Sequence, residues 1–69
     1  MYLTEEEKQA LLKLYNSNCN ESIVKSIPFK VVKSLRDRNI IQAAIEEGNE
    51  TVDIRIPPKT KDYIKDNLL

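Results

Sequence analysis

The chain contains no histidine, one cysteine, one glycine and no long apolar run, and each shortage removes a class of function. Without histidine, no serine–histidine or cysteine–histidine pair can activate a nucleophile. One cysteine and no histidine cannot build an ordinary zinc site. A single cysteine also cannot form an internal disulfide, which fits a cytoplasmic setting better than a secreted one. The single glycine excludes a glycine-rich phosphate loop. The short apolar runs give no membrane-spanning segment. The N-terminus lacks a basic stretch followed by an apolar one, so no signal peptide is expected. Neither an enzyme nor a bound cofactor or metal is expected from this inventory.

What is there is globular. Sixty-nine residues allow one domain, 1–69, with one modest core. Hydrophobic residues make up 41% and charged residues 32% of the chain, a balance that folds rather than staying disordered. The net charge is zero, but its distribution is uneven. Residues 1–22 sum to −2, residues 43–58 to −3 and residues 59–69 to +1. Residues 23–42 carry Lys25, Lys30, Lys33, Arg36 and Arg38 against Asp37 alone, a local +4. That central segment is the electrostatic feature with a consequence for partners.

The first helix is signalled by Thr4 as N-cap, with Glu7 completing capping-box spacing and Glu5, Glu6 and Glu7 at the positive end of the dipole. Leu11, Leu14 and Tyr15 follow at helical spacing, and Asn16, Ser17 and Asn18 interrupt it, predicting a helix from about Glu5 to Tyr15. Asn18 or Asn20 caps a second, two-turn element carrying Ile23, Val24 and Ile27, which Pro28 ends. Pro28 opens a third helix, to about Arg38, with Phe29, Val31, Val32 and Leu35 on its apolar side. Lys30, Lys33, Ser34 and Asp37 lie opposite, Arg36 and Arg38 flank the stripe, and Asn39 suits a left-handed cap.

The period then becomes two. Ile41, Ala43 and Ile45, and then Val52, Ile54 and Ile56, alternate with other residues around the polar loop Glu46-Glu47-Gly48-Asn49-Glu50, predicting a β-hairpin. Thr51, Asp53 and Arg55 fall on its outer side, and Pro57 and Pro58 end the second strand. A last helix opens at Lys59 or Thr60 and carries Tyr63, Ile64 and Leu68. The expected class is α+β: three N-terminal helices, a two-stranded hairpin wing and a short C-terminal helix.

Two stretches resemble a known family. Leu35-Arg36-Asp37-Arg38-Asn39-Ile40-Ile41 looks like the end of the recognition helix and the start of the wing in small bacterial or phage winged helix-turn-helix regulators, with Asn39 where glycine is usual. Pro58-Lys59-Thr60-Lys61-Asp62-Tyr63-Ile64 resembles the start of the helix after the wing, with Thr60 where glycine is common. Leu3-Thr4-Glu5-Glu6-Glu7 is similar to a common first-helix opening. The resemblance implies double-stranded DNA binding and transcriptional regulation. A helix-turn-helix lays its second helix in the major groove. Lys30, Lys33 and Ser34 would then face base edges. Lys25, Arg36 and Arg38, with Asn49 or Arg55 on the wing, would reach phosphates.

Two features oppose that reading. Asp37 shares the face of Lys30 and Lys33, and Glu46, Glu47 and Glu50 make the wing tip repel a phosphate backbone. The alternative is a winged-helix adaptor that binds another protein and no DNA; equally, the basic cluster is the polar face of a surface helix. Glu46 and Glu47 could serve as an acid–base or metal pair, but a solvated loop tip is the simpler reading. Cys19 could be a redox sensor, but a structural thiol is simpler. Tyr2, Leu3, Tyr63, Ile64, Leu68 and Leu69 supply apolar surface at both termini, from which a homodimer is expected.

Overall fold

Helix α1, Glu5–Asn16, begins where its cap places it in the computed structural model, which describes residues 1–69. The Thr4 hydroxyl accepts from the Glu7 amide at 3.2 Å, and the Glu7 carboxylate accepts from the Thr4 amide at 2.9 Å. Two otherwise orphaned amides are thus paired reciprocally. The helix ends in a Schellman motif, with the Asn18 amide donating to the Tyr15 carbonyl and the Cys19 amide to the Leu14 carbonyl. Asn18 and Cys19 both take φ of 56°, in the left-handed region.

Asn20, rather than Asn18, caps α2, Glu21–Ser26, accepting from the Ser22 amide at 2.9 Å. Ile27 and Pro28 separate it from α3, Phe29–Asp37. Asn39 supplies the left-handed turn after α3 at φ 59°, and the Ile40 amide donates to the Leu35 carbonyl at 2.9 Å. The Thr60 hydroxyl, buried, donates to the Ile40 carbonyl at 2.7 Å. That bond ties the last helix to the turn after α3.

Strands β1, Gln42–Glu46, and β2, Glu50–Arg55, form the antiparallel hairpin. The hairpin differs from a simple alternation. Ala43 pairs with Ile54 and Ala44 with Asp53, but Ile45 pairs with Thr51. Val52 is therefore the extra residue of a bulge, which reverses the facing of the strand beyond it. Thr51 turns inward and is buried, whereas Val52 is 43% exposed. The expected inward Val52 and outward Thr51 are exchanged.

Helix α4, Pro58–Asn67, starts one residue earlier than expected, with Pro58 inside its first turn and Pro57 as cap residue. A proline there forfeits no hydrogen bond, because the first-turn amides have no helical partner. The order is helix, helix, helix, hairpin, helix in an α+β arrangement.

One apolar cluster joins all of these elements. Leu11, Leu14, Val24, Val32, Leu35, Ile41, Ile54 and Ile64 are fully enclosed at its centre. Each of the larger side chains contributes about 1.5–3 kcal/mol by leaving water. Helix α3 packs on α1 and on both strands, α2 packs on β2, and α4 packs on α1. No helix is long and apolar enough to cross a membrane.

Candidate nucleic-acid interface

Helix α3 is positioned by Val31, Val32 and Leu35, which are buried and fix the opposite side outward. Lys30 and Lys33 lie on that outer side, exposed, together with Asp37. Lys33 Nζ sits 3.1 Å from Asp37 Oδ2 at i,i+4 spacing, and Lys30 Nζ lies 4.0 Å from Glu6 Oε1 at the start of α1. On α2, Lys25 pairs with Glu21 at 3.3 Å. These are exposed pairs, worth about 0–1 kcal/mol each, so competing phosphates can displace them. Arg36 is exposed and in no ion pair.

Ser34 and Arg38 are engaged within the chain. The Ser34 hydroxyl donates to Glu7 Oε2 at 2.8 Å. The Arg38 guanidinium donates to the same Glu7 oxygen and to the Tyr2 carbonyl. The Glu7 side chain is only 7% exposed, against 37% for Arg38. Burial alone would raise the Glu7 pKa. Hydrogen bonds from the Thr4 amide, Ser34 and Arg38 outweigh it and hold the carboxyl down at about 2, from an ordinary 4.5. Three elements thus meet on one charged oxygen pair: the N-terminal strap, α1 and α3.

The two hairpin residues separate. Asn49, at φ 60°, lines a groove of about 440 Å3 between the hairpin tip and the α2–α3 turn, where Lys25 also lies. The tip therefore folds beside the α2–α3 turn. Arg55 lies elsewhere, in a cleft bounded by α1, β2 and α4, to which α3 contributes no residue. Glu46 and Glu50 face each other across the hairpin, and Glu47 is exposed in its turn. No three histidine, cysteine or acidic side chains gather closely enough to hold a metal ion.

The terminal surface is smaller than the sequence implies. Leu3 and Ile64 belong to the core, and Tyr63 and Leu68 pack half-buried against it. Met1, Tyr2 and Leu69 remain open, exposed by 53%, 80% and 67%. The tertiary roles of Glu7 and Thr60 have no local signal in the sequence. Glu7 carried a signal as a capping residue, but nothing local shows that partners 27 and 31 positions away converge on it. No family model, curated protein or solved structure matches the chain.

Proposed function

We propose that the chain is a winged-helix module that binds double-stranded DNA, with α3 entering the major groove. The observation that carries this reading is the α2–α3 pair itself. A short turn at Ile27–Pro28 joins two helices, the second is anchored by its apolar stripe, and its outer face offers Lys30 and Lys33 with Arg36 beside them. Lys25 on α2 and Asn49 at the hairpin tip, which line one groove, are the flanking phosphate contacts. Ser34 and Arg38 support α3 from behind and are not counted among the contacts. Arg55 faces another cleft and is likewise left out. A small cytoplasmic regulator is the role this module fits, and a second copy joined through Met1, Tyr2 and Leu69 would double its cations.

The adaptor reading has its own observation. Lys25, Lys30 and Lys33 each have a carboxylate beside them, and the hairpin tip is acidic. A surface of alternating sign suits a protein partner better than a polyanion. Fluorescence anisotropy with a labelled duplex separates the two. DNA binding gives an affinity that falls with added salt, with a slope set by the number of phosphates contacted, because each contact releases counterions. Lys30→Ala with Lys33→Ala should weaken it about tenfold or more at low salt. Failure of the unaltered chain to bind long duplex DNA at low salt refutes the DNA reading and leaves the adaptor.

A further inference from the structure

On the side of the molecule to which α3 contributes nothing, the end of α1, strand β2 and helix α4 border an open cleft of about 680 Å3. That volume is within the range of sites for small organic ligands. Its accessible apolar part comes from Tyr15 and Cys19, half-buried over the core side chains Leu14, Ile54 and Ile56. Its polar part is dominated by cations. Lys61 and Lys65 stand one turn apart on α4, and Arg55 projects from β2. None of the three is in an ion pair. Asp53 is the only carboxylate among the lining side chains. The cations on the α2–α3 side, Lys25, Lys30, Lys33 and Arg38, are each matched to an acid, whereas Arg55, Lys61 and Lys65 converge unpaired on one cleft.

We propose that this cleft binds a small amphipathic organic anion, a carboxylate carried on an apolar ring or short chain. The apolar body lies against Tyr15 and Cys19, and the carboxylate meets Lys61, Lys65 and Arg55. The cleft wall at Cys19 is fixed by the Schellman turn, where Cys19 holds φ 56°. A non-glycine residue kept in that conformation is strained, and the surrounding bonds hold it there. Burial and Asp53 push the Cys19 thiol up, while Lys61 pulls it down. Asp53 and Lys61 line the same cleft as the thiol. The site is independent of the proposed DNA surface.

The test titrates 15N-labelled protein with naphthalene-1-acetate and, separately, with its neutral isostere naphthalene-1-acetamide. The cleft predicts saturable amide shifts at Cys19, Asp53–Ile56 and Lys61–Lys65, with the amide bound about tenfold more weakly. Bound carboxylate should also slow alkylation of Cys19, the chain's only thiol, by iodoacetamide. Lys61→Gln with Lys65→Gln should weaken the carboxylate about tenfold, since both side chains are solvent-exposed and removing them leaves the core intact. Absence of saturation, equal binding of the two compounds, or shifts scattered outside the cleft would overturn the proposal. So would unchanged affinity in the double variant; the comparison of the two compounds needs no variant at all.

Discussion

Arg38, at the end of α3, donates its guanidinium to the buried carboxylate of Glu7 in the first turn of α1. The same carboxylate caps its own helix through Thr4 and accepts from Ser34. One acidic side chain thus sets the start of α1, the position of α3 and, through the Arg38–Tyr2 bond, the path of the N-terminal strap. Replacing it should cost more than an ordinary surface substitution. Glu7→Ala is expected to destabilise the fold by about 2–4 kcal/mol, because Arg38 loses its acid and the Thr4 amide its acceptor. Arg38→Gln should cost less, about 1–2 kcal/mol, since its side chain is partly solvated. Urea denaturation of both singles and the double at neutral pH measures the coupling, which should be at least about 0.5 kcal/mol.

The same carboxylate makes stability depend on acid. Its folded pKa lies at about 2, below an ordinary 4.5. A depressed acid contributes fully above its unfolded value and loses that contribution as pH falls toward the folded one. Stability should therefore decline from about pH 4.5 toward pH 2, by about 3 kcal/mol from this group. Glu7→Gln should remove that part of the slope. An unchanged slope between the two proteins in denaturant titrations across this range would mean that Glu7 is not the group responsible.

The turn after α3 gives a third prediction. Asn39 occupies φ 59°, and Thr60 caps the following carbonyl of Ile40 from α4. Asn39→Gly should be neutral or stabilising by less than about 1 kcal/mol, and Asn39→Ala destabilising by about 1 kcal/mol. Thr60→Val keeps the volume but orphans the carbonyl, at a cost of about 1–3 kcal/mol. Thermal melts of the three variants check the order.

The hairpin tip supplies a fourth. Glu46 and Glu50 are cross-strand partners of like charge. Glu50→Lys converts repulsion to attraction and should stabilise the hairpin by about 0.2–1 kcal/mol. It also removes an acid from the groove shared with Lys25 and Asn49. On the DNA reading it should tighten duplex binding and steepen the salt dependence by about one further phosphate contact. On the adaptor reading it should leave the chain unable to bind DNA.

Local signals carried most of the fold. The capping box at Thr4, the proline that divides α2 from α3 and the left-handed Asn39 all act through neighbours in sequence, and each occupies its expected place. The bulge at Val52 was not legible, because alternation alone cannot show that one strand has an extra residue. The site was legible only in part. Lys30 and Lys33 face outward as the helical period requires, whereas Ser34 and Arg38 are drawn to Glu7 by a tertiary contact. Arg55 and the α4 lysines share a cleft because of how β2 and α4 pack, which no spacing along the chain encodes.

Amide chemical-shift mapping with an unlabelled duplex at low salt shows directly whether α3 meets DNA. Major-groove binding by α3 gives shifts concentrated at Lys30, Lys33 and Arg36, extending to Lys25 and Asn49, that vanish as salt is raised. Shifts confined to α4 and the β2 cleft, or a spectrum unchanged by duplex DNA, would contradict it.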